Sequence, residues 1–426
     1  MDVRQIDHAW YHLPMVEIRD RHLRSAIVDA LGDTRVVVVS GARQAGKSTL
    51  VKLVVGDRKD TEFRRLDRPN DLAAAKFDPE TFVRTSSLLV IDEVQRAPEL
   101  VLPIKARVDD DSRPGQFLLT GSARLLGLRN LPDSLIGRSE TIELWPFSQG
   151  ELEGRVERFV DRVFDDGDLR SFETEMAKPE YLDRALAGGY PEAVRRSPNR
   201  RDRFFDSYIN DLIDRDVTQL SEIQRRPDLI RLLALLADRM ATTISVQNIA
   251  ETLASPKSTI DRYIALLEEV FVIKRLSGWA TSATSRAVQK EKCFFVDSGL
   301  GAHLAGWTSS SLRRNEAASG QLLEGFVIGE VCKQLGWSQT SARPYHYRDR
   351  DGREADLVLE ARDGRIVAIE VKAGATVRAE DTRHLRYLRD SIGDRFHRGI
   401  VLSTSDRSMR ISDRIDIAPI AALWAE

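Results

Sequence analysis

Thiol chemistry is nearly absent from this chain. Cys293 and Cys332 are its only cysteines, and both stand beside apolar residues. Two cysteines exclude a disulfide framework and a four-cysteine zinc site, and they suit reduced thiols in a cytoplasmic protein. Long apolar runs are missing too. No stretch approaches the roughly 18 residues of a membrane span, so no membrane partner is expected. The opening Met1–Asp7 segment has no apolar core of the kind a secretory signal carries. Charge of one sign is not in excess: the net charge is −2, so any nucleic-acid contact must come from local basic patches and not from a global field. What remains is an ordinary globular composition, 42% hydrophobic and 31% charged over 426 residues, enough for two or three domains.

The informative stretch is Gly41-Ala42-Arg43-Gln44-Ala45-Gly46-Lys47-Ser48. It fits the phosphate-loop template G-x-x-x-x-G-K-[ST] at every fixed position. Val36–Val39 before it read as a buried parallel strand, and Thr49–Val55 after it as the start of a helix. In that context the backbone N–H groups of the loop cradle phosphates and the helix N-terminus adds partial positive charge. Lys47 is expected to reach the β- and γ-phosphates of ATP, and Ser48 to ligate Mg2+. Residues 41–49, ending at Thr49, form the nucleotide-binding set.

Leu88–Ile91 form a second apolar run, closing on Asp92 and Glu93. Asp92 is placed as the second magnesium-holding group and Glu93 as the residue that polarises attacking water. Phe117–Leu119 lead to Thr120, Gly121 and Ser122. Thr120 or Ser122 is expected to sense the γ-phosphate. Arg138 or Arg124 is expected to touch that phosphate, in cis or from a neighbouring subunit of a homo-oligomer. Strands are also expected at 63–67 and 141–146, and helices at 16–32 and 71–84.

These motifs, with Gly188-Gly189-Tyr190-Pro191-Glu192 and Asp211–Val217, resemble the prokaryotic AAA-type ATPases that carry a C-terminal domain of unknown function. The resemblance runs over nearly the whole chain. It implies an α/β architecture: a parallel-sheet P-loop ATPase domain over residues 1–155, a helical middle with a winged helix over 156–310, and a nuclease-like fold of the restriction-endonuclease type over 311–426. It implies no particular reaction.

The residues agree with that division. Residues 151–175, acid-rich from Asp161 to Asp168, read as an exposed connector, and Arg195–Arg203 as a basic, solvated loop, with contact to a phosphate backbone the lesser reading. Helical periodicity from Asp228, two short helices around a Ser255–Pro256 turn and a strand at 271–276 describe a winged helix-turn-helix over about 228–298. Its second helix mixes Lys257 and Arg262 with Asp261, Glu268 and Glu269, which argues against base-specific reading.

In the last domain Asp356 starts a strand, Asp363–Gly364 make a hairpin turn, and Glu370 and Lys372 share one side of the return strand. Asp, then Glu-x-Lys, on a hairpin resembles the PD-(D/E)xK phosphodiesterase core. Carboxylates hold a hard divalent cation there, Mg2+ or Mn2+, and the lysine positions water and offsets phosphate charge. Glu324, on a preceding helix, matches a further metal-binding acid. Asp356, Glu370 and Lys372 are thus the expected nuclease residues, with Glu324, Asp356 and Glu370 on the metal. The sequence-level expectation is an ATP-hydrolysing protein whose C-terminal domain cuts DNA, or less readily RNA, under ATP control. The alternative is an ATP-dependent switch whose nuclease-like domain is inactive and only binds nucleic acid or protein.

Overall fold

The structure is a computed structural model. It describes residues 18–425 except 57, 59, 123–134, 166–168, 170–171, 218–225 and 288, together with the side chains of 215–217, 283 and 287. Met1–Asp7 and Arg124 lie outside the described residues.

Five parallel strands form the first sheet: β1 (Val36–Gly41), β2 (Thr61–Arg65), β3 (Leu88–Asp92), β4 (Phe117–Gly121) and β5 (Ser139–Leu144), in the order β2-β3-β4-β1-β5. β1, β3 and β4 are buried at every position, as runs of Val, Leu and Ile covered on both faces must be. β4 lies between the strands that carry the phosphate loop and Asp92. Because all strands point one way, Gly41, Asp92 and Gly121 end on the same edge of the sheet. That edge is where ligands bind in open parallel sheets.

The helix expected at 71–84 is two helices, Pro69–Phe77 and Pro79–Phe82. Pro79 supplies no backbone N–H and disfavours helical geometry at Asp78, so the first helix stops there.

The middle of the chain is helical, followed by three helices (Arg226–Asp238, Val246–Thr252, Lys257–Glu269) and an antiparallel sheet of β6 (Thr242–Thr243), β7 (Ile273–Leu276) and β8 (Lys292–Phe295) in the order β6-β8-β7. Two expectations are corrected here. The segment 151–175 is not an exposed connector throughout, since Phe159–Phe164 is a helix that buries Phe159, Val160, Val163 and Phe164. Nor is 195–203 a loop. Pro198 occupies the first turn of a helix, Pro198–Asp211, that buries Phe204, Phe205, Tyr208 and Ile209. The apolar stripe outweighs the charge density that suggested a loop.

The C-terminal part sets a long helix, Glu316–Gln334, against a mixed sheet of β9 (Ala342–Arg348), β10 (Glu354–Ala361), β11 (Ile366–Lys372), β12 (Phe396–Ser403), β13 (Met409–Ser412) and β14 (Ile415–Pro419), in the order β13-β14-β12-β11-β10-β9. One hydrophobic core runs from Ala42 and Ala45 of the phosphate loop, through Trp145 and the middle helices, to Leu357, Ile400 and Trp424. Buried Glu330 and Lys333 of the long helix bind the first domain directly. Glu330 accepts from the Gln149 N–H at 2.8 Å, and Lys333 donates to the Phe147 carbonyl at 2.9 Å. Among the described residues, no helix is long and apolar enough to cross a membrane.

Candidate active site

The phosphate loop has the backbone its sequence requires. Gly41 lies at φ +149, and a Cβ there would stand 2.1 Å from the Leu144 carbonyl oxygen of the neighbouring strand. Gly46 lies at φ +101, a conformation that side chains rarely adopt. Lys47 opens the following helix. Its buried ammonium donates to the Gly41 and Ala42 carbonyls, both at 2.9 Å, which holds it folded over the loop. Ser48 Oγ donates to Asp92 Oδ1 at 2.9 Å, so the two residues expected to share magnesium meet.

Asp92 also accepts from Thr120 Oγ1, and Thr120 Oγ1 accepts from the Glu93 N–H at 3.1 Å. Fully buried Thr120 therefore sets the position of both acids. Glu93 sits at φ +61, a left-handed conformation that costs a non-glycine residue on the order of 1 kcal/mol. Gln95 donates to the Glu93 carboxylate and, at 2.9 Å, to Ser122 Oγ. Ser122 thus reaches Glu93 through Gln95. Strain and a tethered carboxylate at the sheet edge suit a group that must aim at one water.

A cavity of about 360 Å³ opens over the loop, with Gln44, Gly46, Lys47, Ser48, Thr49 and Glu93 in its wall. Gly41, Ala42, Arg43 and Ala45 shape the loop without lining the cavity. Its apolar side is Ile18, Leu53 and Phe147, suited to a nucleobase. Its far side comes from the middle of the chain: Pro191, Glu192 and Arg195. The glycine cradle, the lysine over it and the Ser48–Asp92 pair fit a nucleoside triphosphate with magnesium, which would supply the reactive phosphoanhydride and a Lewis acid.

Sequence reasoning missed Arg21. It is 6% exposed, donates to the Ala45 carbonyl at 2.9 Å, the Trp145 carbonyl at 2.6 Å and Glu151 Oε1 at 3.0 Å, and lies over the Phe147 ring. Its planar fork pins the loop to the end of β5. Its partners lie far away in the sequence, so no local pattern announces it. Arg138, by contrast, is not at the nucleotide. It forms a forked pair with Asp109, and its carbonyl accepts from the Val36 N–H. Val36 begins β1 and the loop follows its end, about 17 Å away at the rise of an extended strand. Arg138 cannot touch the γ-phosphate in cis.

The C-terminal cluster is built differently from its expectation. A register shift between Ala355 and Val358 re-aims Asp356 on β10, and its Oδ2 accepts from the Val371 N–H of β11 at 2.9 Å. Lys372 donates to Glu370 Oε1 at 2.7 Å, while buried Glu370 Oε2 has no hydrogen-bond partner among the described residues. The unexpected member is Lys292, from β8 of the middle sheet. Its ammonium donates to Glu324 Oε1, to Asp356 Oδ1 at 3.4 Å and to the Asp356 carbonyl at 3.3 Å. Among the described residues no three His, Cys, Asp or Glu side chains are gathered to hold a metal ion. A lysine ammonium thus stands against Glu324 and Asp356, two of the three acids expected to hold a metal with Glu370.

The charges follow from that placement. Burial works against a charged Lys292, but Glu324 and Asp356 outweigh it and hold its pKa above the ordinary lysine value. Burial, with Asp356 adding to it, lifts Glu324 well above the usual carboxylate range and Glu370 to about 8. One ammonium brings one positive charge where a divalent cation brings two, and protons retained on the acids make up the difference.

Residues 33–153 match the family described as AAA domain, while residues 178–311 and 319–423 match two domains of unknown function, DUF8612 and DUF4143. Uncharacterized proteins of Mycobacterium tuberculosis and Mycobacterium bovis are each 28% identical over 367 residues, covering 85% of this chain and 75% of theirs. One from Haemophilus influenzae is 20% identical over 384 residues, 84% of this chain and 87% of its own. Among solved structures, the Walker-type ATPase of Pyrococcus abyssi has 16% identity and a TM-score of 0.40, over 67% of this chain and 96% of that one. Within this chain, residues 33–153 thus combine a match to the AAA domain family with a phosphate loop at the edge of a parallel sheet.

Proposed function

We propose that the chain is an ATP-driven conformational switch that acts on nucleic acid, DNA in preference to RNA, and that its C-terminal domain is a binding platform that does not cut. The observation that carries the switch is the composition of the nucleotide cavity. Its lining joins the phosphate loop to Pro191, Glu192 and Arg195 from the helical middle. A γ-phosphate present on Lys47 and then lost would change what Arg195 faces, and the continuous core would pass that change onward.

Lys47 holds the β- and γ-phosphates in this reading, Ser48 and Asp92 hold the magnesium, and Glu93 orients and deprotonates water. Two features support a nucleic-acid role. The three helices and small sheet between Arg226 and Phe295 have the order of a winged helix, and the Asp356, Glu370 and Lys372 hairpin has that of a PD-(D/E)xK core. The platform reading is supported by Lys292, whose ammonium sits where a cleaving site would need a divalent cation.

Labelled DNA and RNA are incubated with the pure full chain, with and without ATP, in Mg2+ or Mn2+. ATP turnover is expected, abolished in Lys47→Ala and Glu93→Gln, with Glu93→Gln still binding nucleotide. No strand is cut. Cutting that Lys372→Ala removes would replace the platform with a nuclease, and absent turnover would end the switch.

A further inference from the structure

We infer that a groove beside the nucleotide cavity binds the phosphate backbone of a single-stranded nucleic acid, and that occupancy of this groove is read by the ATP site. The inference rests on the proposed switch and names where its nucleic acid lies.

The groove, about 620 Å³, is lined by Gln44, Arg196, Arg200, Arg203, Phe204 and Ser207, with Glu192 at its edge. Arg200, Arg203 and Ser207 fall at successive turns of the helix Pro198–Asp211, so they share one face. Arg200 and Arg203 are exposed, and among the described residues no carboxylate is paired with either. Two acids of the same helix are turned elsewhere: Asp202 and Asp206 both face His303, at 3.4 and 2.9 Å. Along this helix the exposed Asp202 and Asp206 are engaged by His303, while Arg200 and Arg203 line the groove.

Arg196 lies over the Phe204 ring, 4.9 Å from its centre, and pairs with Glu192 at 3.1 Å. A planar guanidinium backed by a ring is a surface on which a base can stack. Arginines set in a concavity suit one flexible strand, whose phosphates can follow the groove. A duplex presents a convex, rigid face.

The link to ATP is contained in the same residues. Gln44 of the phosphate loop and Glu192 line both the groove and the nucleotide cavity. The consecutive arginines divide between them, Arg195 in the cavity wall and Arg196 in the groove. A strand that draws Arg196 away from Glu192 moves the turn that carries Arg195, and through Gln44 it touches the loop itself.

Binding is measured on the full chain by fluorescence anisotropy with labelled oligo-dT and oligo-rU at several salt concentrations, without hydrolysis. ATP turnover is then measured with and without the oligomers. The wild type is expected to bind and to turn over ATP faster when bound. The double variant Arg200→Glu/Arg203→Glu is expected to bind about tenfold more weakly. Its dependence of log affinity on log salt is expected to be shallower by about 1.4, two phosphate contacts on a single strand. Basal turnover stays unchanged and stimulation is lost. Arg200→Gln/Arg203→Gln should fall between the two. Equal binding of wild type and variant overturns the groove, as does poly-glutamate competing as well as the oligomers, which would mark it as a site for acidic protein. Binding without stimulation overturns the link to ATP. Absent basal turnover with groove binding intact would refute the switch and leave the groove standing.

Discussion

Lys292 is where the chain can be tested most sharply. Lys292→Met keeps most of the volume of the side chain and removes its ammonium from between Glu324 and Asp356. Breaking a buried ion pair by deleting one partner costs about 3–5 kcal/mol, because a carboxylate is left buried without a counter-charge. At about 2.1 cal/mol/K per residue, cooperative unfolding of a chain this size has an entropy near 0.9 kcal/mol/K, so the melting temperature should fall by about 3–6 °C. The fall should be largest near pH 8, where the acids would have to be charged, and smaller near pH 5.5, where protons replace the lost ammonium. The variant also leaves Glu324, Asp356 and Glu370 free to share a cation. With nucleotide absent, Mn2+ at 100 times its dissociation constant would return about 2.7 kcal/mol, close to 3 °C, to the variant and nothing to the wild type. Scanning calorimetry in EDTA and in Mn2+, at both pH values, measures all four terms. A wild type that Mn2+ stabilises as much as the variant would refute the idea that lysine and metal compete for one place. A variant as stable as wild type in EDTA at pH 8 would refute the charge account.

Three further outcomes are expected. Arg21→Met should raise the KM for ATP more than it lowers kcat in steady-state assays, since Arg21 shapes the loop through the Ala45 carbonyl and lines the cavity beside it. Arg138→Ala should leave kcat within about twofold of wild type, because its partner is Asp109 at the other end of the sheet. His346, 2% exposed and held by the Lys290 carbonyl, has its pKa pushed down to about 4 by burial. Between pH 6.5 and 4 the unfolded chain then binds a proton that the folded chain refuses, so stability falls as pH drops, by at most about 1.4 kcal/mol per unit. His346→Gln should remove that part of the slope in urea titrations.

The ATPase domain was legible because its chemistry is written locally. Four β-branched residues before Gly41 and four apolar residues before Asp92 each specify a buried strand and its functional end in one short run. Contacts between distant segments were not legible. Arg21, Lys292 and the Glu192–Arg195 wall act on residues far along the chain, and nothing in their neighbourhoods marks them. Arg138 misled for the complementary reason. A Gly-Arg pair near a strand suggests a phosphate contact, but only the sheet shows which end of the strand it occupies. Arg195–Arg203 and the acid-rich run from Asp161 were read from charge, while the packing of Phe204, Phe205, Phe159 and Phe164 decided the helices Pro198–Asp211 and Phe159–Phe164.

The Glu330–Lys333 pair has a consequence for how such a protein can change by recombination. Its hydrogen bonds end on backbone atoms of Gln149 and of Phe147, which lines the nucleotide cavity. Backbone atoms are common to every sequence, so the first domain can drift in side chains and still be gripped. The C-terminal domain has no such latitude. A foreign module grafted after the middle helices would leave the Gln149 N–H and the Phe147 carbonyl buried without partners, at about 1–3 kcal/mol each. Exchange by recombination is therefore confined to modules that already carry an acid and a lysine three residues apart on the same helix, and lineages of this architecture should inherit their two ends together.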